Sequence, residues 1–127
     1  MQYLQFKFKE LKKEFYDDKI VFWAFRLFMM QIAMLFWLKF GKPLMITSLY
    51  RPGDPRAHGH GCGADARSWE MTIEHFTWLK ELDELFSPYV DIVIEVESWS
   101  GVKPPGGEHI HFEFNPPYWP KEGMIFN

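Results

Sequence analysis

Four of the five histidines in this chain of 127 residues lie in two short stretches that are far apart in the sequence. Residues 58–65 read His-Gly-His-Gly-Cys-Gly-Ala-Asp, and residues 108–111 read Glu-His-Ile-His. Neutral imidazole and carboxylate are among the ligands that zinc takes in proteins. If both stretches bind one metal ion, the fold must bring them together, and this requirement is the strongest constraint in the sequence. The pattern indicates a metal-dependent hydrolase.

The composition is typical of one folded domain over residues 1–127, with 47% hydrophobic and 19% aromatic residues. The net charge of −3, without a long basic run, argues against nucleic acid as a partner. The single cysteine, Cys62, excludes an internal disulfide framework. Residues 1–5 lack the basic start and apolar run of a signal peptide, so we expect synthesis in the cytoplasm. The sequence leaves the oligomeric state open.

Residues 20–40 form an almost continuous apolar run that is long enough to span a bilayer. Arg26 and Gln31 interrupt this run, and an ionisable group in mid-membrane is costly. Residues 41–43, Gly-Lys-Pro, then end the helix as in soluble proteins. We therefore predict a buried core helix here, with a membrane helix as the alternative.

The hydrophobic pattern predicts an α+β fold in which helices cover one side of a small sheet. Helices are expected at residues 9–15, from a cap at Asp17 or Asp18 to about Lys39, and at 68–86. Strands are expected at residues 44–49, 61–67, 90–96 and 109–114. Tyr118, Trp119 and Phe126 belong to an aromatic tail that we expect to cover the core.

Side chains alternate between the two faces of a strand, so His109 and His111 point the same way. A catalytic zinc site needs three protein ligands and one open position for water. His58, Asp65 and His111 can supply the three ligands, and His60 competes with His58 for the same place.

The order and spacing of these residues resemble those of the zinc D-alanyl-D-alanine peptidase family. The matching segments are Thr-Ser-Leu-Tyr-Arg at residues 47–51, the stretch 58–65 and the stretch 108–111. That family includes D,D-carboxypeptidases, D,D-dipeptidases and the L-alanyl-D-glutamate endopeptidases of phage lysins, and its wider group includes Hedgehog signalling domains. The order of predicted helices and strands also fits this group, and the resemblance implies a small antiparallel sheet that carries the zinc site and is backed by helices.

The resemblance implies one zinc ion per chain with three ligands: His58, Asp65 and His111. It assigns the general base to Glu108, and His109 is expected to contact the metal ligands or transfer a proton. Arg51 is expected to bind the substrate and stabilise the oxyanion, with Ser48 and Tyr50 beside it in the substrate site.

Glu108 conflicts with strand alternation, which places it on the face opposite His109 and His111. It reaches the metal site only if the chain bends at Gly106-Gly107. Glu113 is in phase with both histidines and is the alternative carboxylate.

These observations lead us to expect a zinc peptidase that cleaves a bond in the stem peptides of bacterial peptidoglycan. Such an enzyme resembles the catalytic module of a phage or prophage endolysin, which is made in the cytoplasm and then acts on the cell wall. The alternative is a non-catalytic zinc-binding module, which has no need of both Arg51 and Glu108. The sequence leaves open which bond is cut, and whether the enzyme is a carboxypeptidase or an endopeptidase.

Overall fold

The computed structural model describes residues 2–121, over which the chain forms five strands and four helices. The strands are β1 (Leu4–Phe6), β2 (Leu44–Ser48), β3 (Gly63–Arg67), β4 (Val90–Glu95) and β5 (His109–Phe114). The helices are α1 (Lys9–Phe15), α2 (Trp23–Phe40), α3 (Ile73–Phe86) and α4 (Glu97–Ser100). This mixture confirms the predicted α+β class.

The five strands form one sheet in the order β1-β2-β3-β5-β4. Strand β1 pairs with β2 in parallel, whereas the other neighbouring pairs are antiparallel. The expectation of an antiparallel sheet is therefore wrong for β1, and the sheet is mixed. Parallel strands need a long crossover connection, which α1 and α2 provide between β1 and β2.

Alternation along the strands separates an apolar face of the sheet from a polar face. In β5, Ile110 and Phe112 are fully buried, whereas His109 and His111, which alternate with them, are partly accessible. At the end of β5, the ring of Phe114 contacts Phe25 of α2 edge-on, with 5.2 Å between ring centroids. The helices thus cover the apolar face, and the polar face carries the predicted site residues.

Helix α2 contributes five buried side chains to the core: Phe25, Met29, Ile32, Ala33 and Phe36. By length and composition alone it is also apolar enough to cross a membrane, and 28% of it is buried. The helix begins at Trp23, so the expected cap at Asp17 or Asp18 is wrong. Asp17 instead accepts a hydrogen bond from the backbone N–H of Lys19, and Asp18 pairs with Arg26.

Helix α3 begins at Ile73, later than the expected start at Ser68. A capping box begins the helix at this point, since the backbone N–H of Thr72 donates to Nδ1 of His75 at 2.8 Å. His75 therefore has a structural role at a helix end, apart from the other four histidines.

Arg26 joins α2 to the end of α1, with a side chain that is only 13% exposed. Its Nε donates to the backbone carbonyl of Phe15 at 2.6 Å, and Nη1 lies 2.7 Å from Oδ1 of Asp18. The charge in the middle of the apolar run is thus held by polar groups of the same chain.

Replacing Arg26 by leucine removes the guanidinium that donates to Phe15 and Asp18 and leaves a shorter, apolar side chain. We expect Arg26→Leu to lower the free energy of unfolding by about 2–3 kcal/mol, measured by urea denaturation. Lys39→Leu, at an exposed position of the same helix, is the control and should change it by at most about 0.5 kcal/mol. Equal effects of the two substitutions would contradict the structural role of Arg26.

Candidate metal centre

Three of the predicted ligands come together on the polar face of the sheet. The candidate ligand atoms of His58, Asp65 and His111 all lie within 4.8 Å of one another. Asp65 in β3 is directly opposite His111 in β5 in the antiparallel register. His58 lies in a short 3-10 turn, Ala57–His60, just before β3. We call these three residues the His–Asp–His cluster.

The glycine at position 63 explains how the turn that carries His58 fits against β3. A Cβ atom at Gly63 would lie 2.9 Å from the backbone nitrogen of His58. Contacts that short are not tolerated, so a side chain at this position would push the turn away. The absence of a side chain at Gly63 therefore allows the turn of His58 to lie close to β3.

The distances within the cluster suit a metal ion. Oδ1 of Asp65 is 2.8 Å from Nδ1 of His111 and 3.5 Å from Nε2 of His58. Tetrahedral zinc with bonds of about 2.0–2.1 Å places its ligand atoms about 3.3 Å apart. The two measured distances lie on either side of that value, so the cluster is compatible with a bound metal ion.

His58 provides the strongest indication that something binds here. Its side chain is 4% exposed, and its Nδ1 donates to the backbone carbonyl of Leu49. Among residues 2–121, Nε2 of His58 has no hydrogen-bond partner although it is buried. A buried polar atom without a partner costs about 1–3 kcal/mol. A metal ion bound to this nitrogen would remove that cost.

Asp65 is buried, and its two oxygens have different neighbours. Oδ2 accepts a hydrogen bond from Nη2 of Arg51 at 3.0 Å, and the same Nη2 lies 3.2 Å from Oγ of Ser48. Burial alone would raise the pKa of Asp65, but His111 and His58 beside it hold the pKa well below its usual range. The carboxylate is therefore charged, with Oδ1 facing the histidines.

His111 has a carboxylate at each ring nitrogen. Nδ1 faces Asp65, and Nε2 is 2.7 Å from Oε1 of Glu113. Burial lowers the pKa of His111, but hydrogen bonds to these two carboxylates outweigh it and raise the pKa to about 9. Of the two carboxylates, that of Glu113 lies on the side of the His111 ring that faces away from the cluster.

The cluster also has the outer hydrogen bonds that metal-binding histidines usually have. A ligating histidine ordinarily donates its second ring N–H to a carboxylate or a backbone carbonyl, which fixes the ring. The Leu49 carbonyl is in that position for His58, and Glu113 is in that position for His111. These partners orient both rings toward Asp65.

The cluster lies in an open cleft of about 500 Å³, which we call the metal cleft. Its other charged and polar lining residues are Arg51, Arg56, Glu95, His109 and Glu113. A cleft of this size, with few apolar groups near the cluster, has room for a segment of peptide. The lining thus includes two of the predicted catalytic residues, Arg51 and His109.

Glu95 is a residue of the metal cleft that sequence reasoning missed. It lies opposite His109 in the pairing of β4 with β5, and its Oε2 is 3.1 Å from Nε2 of His109. Nδ1 of His109 donates to the carbonyl of Gly107 at 2.7 Å, and Nε2 is 3.7 Å from Oδ1 of Asp65. The alternation of β4 hints at Glu95, but only the strand register identifies its partner.

Glu108 and Tyr50 are not brought to the cluster. In the described chain, neither residue lines the metal cleft. Oε2 of Glu108 accepts a hydrogen bond from the backbone N–H of Glu97 at 2.8 Å. Glu108 lines a second cleft, which also includes Asp65 and His109. The hydrogen bond to Glu97 thus holds the carboxylate of Glu108 outside the metal cleft, although Glu108 lies in a cleft next to it.

His60 has a different environment from His58. Its ring stacks on Trp119, with 4.0 Å between ring centroids and 17° between ring planes. Trp119 belongs to the predicted aromatic tail, of which Phe126 lies outside the described residues. The structure therefore brings His58, rather than His60, to Asp65 and His111.

No family model, no curated protein and no solved structure matches this chain. The resemblance to zinc D-alanyl-D-alanine peptidases therefore remains a prediction that rests on the sequence motifs.

Removal of the His58 imidazole tests the metal centre directly. We expect His58→Ala to weaken zinc binding by more than the 10- to 100-fold loss, roughly, that follows removal of an outer partner. Zinc content and affinity are measured by competition with a chromophoric chelator, and circular dichroism checks the fold. His60→Ala is the matched control and should bind zinc normally. Full zinc binding by His58→Ala would contradict the assignment.

Proposed function

We propose that this protein is a zinc-dependent peptidase that hydrolyses a peptide bond in peptidoglycan stem peptides. The observation that carries the proposal is the buried, unpartnered Nε2 of His58, which faces Asp65 beside His111 in an open cleft. Three protein ligands with room for water are typical of catalytic zinc, whereas structural zinc is closed by a fourth ligand. Cys62 is buried and lies outside the cluster, so it does not close the site.

His58, Asp65 and His111 would hold the zinc ion. When bound, zinc polarises a substrate carbonyl and makes water a nucleophile at neutral pH. The Leu49 carbonyl and Glu113 keep the two imidazole rings in place, so the ligands are arranged before substrate arrives.

Arg51 is suited to bind the substrate. One of its nitrogens is held by Asp65 and Ser48, which fixes the direction of the guanidinium in the metal cleft. Its other terminal nitrogen lies 3.9 Å from Asp54, too far for a tight pair. A guanidinium fixed in this way can stabilise negative charge that develops on a carbonyl oxygen. Tyr50 remains a predicted substrate contact.

Glu108 is our proposed general base, and His109 is the proposed partner in proton transfer. Glu108 has the place in the sequence that the resemblance implies, and its cleft includes Asp65 and His109. To act on water near the cluster, its carboxylate must release the backbone N–H of Glu97. His109 already faces the metal cleft and points Nε2 toward Glu95 and Asp65.

The substrate and setting are inferred from the resemblance. Stem peptides of the cell wall are the substrates of that family, and its small phage members are endolysin modules made in the cytoplasm. The open metal cleft is compatible with either a carboxypeptidase or an endopeptidase.

A non-catalytic zinc module is the second candidate. The hydrogen bond from Glu97 to Glu108 favours it, because this contact keeps the proposed base outside the metal cleft. The two candidates share the same metal ligands and differ only in turnover.

Incubation with purified peptidoglycan fragments distinguishes these candidates. We expect release of one defined product that a zinc chelator abolishes and added zinc restores. Mass spectrometry identifies the bond from the mass that is lost. One bound zinc ion per chain without any product would reject the peptidase and leave the non-catalytic module.

Substitution of the proposed base tests the mechanism. We expect Glu108→Gln to lower kcat by about 10²- to 10⁴-fold with zinc content unchanged, because general base catalysis contributes that much. The matched amide substitution Glu97→Gln, at the residue whose backbone holds Glu108, should leave kcat near that of the natural protein. If Glu108→Gln keeps full activity and His109→Gln does not, proton transfer belongs to His109 instead.

A further inference from the structure

Helix α2 is apolar on its outward side as well as on the side that faces the core. The exposed residues of the outward side, which we call the α2 stripe, are Trp23, Leu27, Gln31, Met34, Leu35 and Leu38. The five apolar members are 38–71% exposed, and Gln31 is the single polar member. A helix at the surface of a soluble domain ordinarily turns charged and polar residues to solvent. Within residues 2–121 nothing else covers this apolar side.

The spacing of the stripe is that of a helix that packs against another helix. Leu27, Gln31, Met34 and Leu38 follow one another at intervals of four, three and four residues. This repeat keeps the four side chains in one line along the helix, and it is the repeat of the a and d positions in paired helices. The stripe therefore fits a helical partner.

The size of the stripe fits a reversible association. It runs about 22 Å along the helix and is about one helix diameter, ~10 Å, wide. The largest apolar patch on an ordinary monomer has an area of roughly 300–600 Å². Two such patches together bury roughly 600–1,200 Å², which is the size of weak, reversible complexes and below that of permanent ones.

The stripe matches itself when two copies of α2 are antiparallel. If Gln31 faces Gln31, then Leu27 of one copy lies opposite Leu35 of the other, because each is four residues from Gln31. Trp23 lies opposite Lys39 for the same reason, and an ammonium group there can lie over the indole ring. One surface thus serves both copies, as a twofold interface requires.

Gln31 favours a second copy as the occupant. A side-chain amide both donates and accepts hydrogen bonds, so two Gln31 side chains that meet on a twofold axis can satisfy each other. A partner that is apolar throughout would leave this amide without a hydrogen bond, which is costly in a dry contact. A single polar residue in the seam of two helices also fixes their register.

The charges at the two ends of α2 favour the antiparallel arrangement. Asp17 and Asp18 precede the helix, whereas Lys39 and Lys42 lie at its other end. A parallel pair would bring the lysines of both copies together, and an antiparallel pair brings them toward the aspartates. Helices that lie on a membrane surface usually carry Lys and Arg beside the apolar side to meet anionic lipids. The two aspartates make the stripe less suited to that surface.

We propose that the α2 stripe binds a second copy of this chain, with the two α2 helices antiparallel and Gln31 facing Gln31. Helix α2 covers the apolar face of the sheet, whereas the metal cleft opens on the polar face. Association therefore leaves the metal cleft of each copy accessible, and it is independent of peptidase activity.

Analytical ultracentrifugation of the natural protein from about 1 to 200 μM tests the association. We expect a reversible equilibrium between monomer and dimer in this range. Leu38→Glu should raise the dissociation constant by about tenfold or more, because it places an unpaired carboxylate in an apolar contact. Circular dichroism and zinc content should stay those of the natural protein.

Leu85→Glu is the matched control, because Leu85 lies in helix α3 and is 73% exposed, against 71% for Leu38. It should leave the dissociation constant unchanged. A natural protein that is monomeric at every concentration, or equal weakening by the two substitutions, would overturn the inference.

Cysteine cross-linking tests the orientation of the helices. We expect Gln31→Cys to form a disulfide-linked dimer under mild oxidation, since the two positions face each other. Leu38→Cys should form little, because an antiparallel pair holds the two cysteines about 20 Å apart along the helices. The natural chain, whose single cysteine is the buried Cys62, is the blank. Cross-linking through position 38 and not through position 31 would overturn the arrangement.

Vesicles test the other occupant. Co-sedimentation with vesicles of phosphatidylcholine and phosphatidylglycerol should retain little natural protein. Strong retention of a monomer that Leu38→Glu abolishes and Leu85→Glu does not would assign the stripe to a membrane surface and overturn the dimer.

Discussion

The pairing of β3 with β5 is the interaction on which the site depends, because it places the carboxylate of Asp65 opposite His111. A buried carboxylate is unfavourable unless each oxygen has a partner. Arg51 takes one oxygen of Asp65, and the histidines surround the other. The loop that carries Arg51 and the turn that carries His58 are therefore both held to the same side chain.

Strand β5 contributes to both the core and the site, because its residues alternate between the two faces of the sheet. Ile110 and Phe112 are buried against the helices, and His109 and His111 stand on the opposite face. A shift of one residue in the register would exchange the two sets, so the hydrophobic core specifies the position of the site. Gly63 adds a local requirement, since only a residue without Cβ lets the turn of His58 lie against β3.

The sequence predicted the residues of the cluster in two ways: ligand type and strand alternation indicated Asp65 and His111, whereas the choice of His58 over His60 depended on the spacing that the resemblance implies. It also predicted β5 with its bounds, because its apolar positions alternate and prolines follow it. The parallel pairing of β1 and the contact between Glu95 and His109 were not predicted, because each depends on strand register across distant segments. The same limit applies to the cap of α2, where tertiary contacts replace a local signal.

Within the cluster, His58 is the residue whose surroundings bear most on whether a metal ion binds here. The contacts of His111 with Asp65 and Glu113 form a complete set of hydrogen bonds without any ion, and such a set is common in protein interiors. His58 differs, because its Nδ1 is used by Leu49 and its buried Nε2 has no partner in the described chain. Because Nδ1 donates to Leu49, a neutral His58 turns the lone pair of Nε2 toward Oδ1 of Asp65 at 3.5 Å, which is unfavourable unless a proton or a cation lies between them. A cation between these two atoms would give Nε2 of His58 a partner, and the turn, Gly63 and the Leu49 carbonyl already hold the ring in the orientation that such a cation needs.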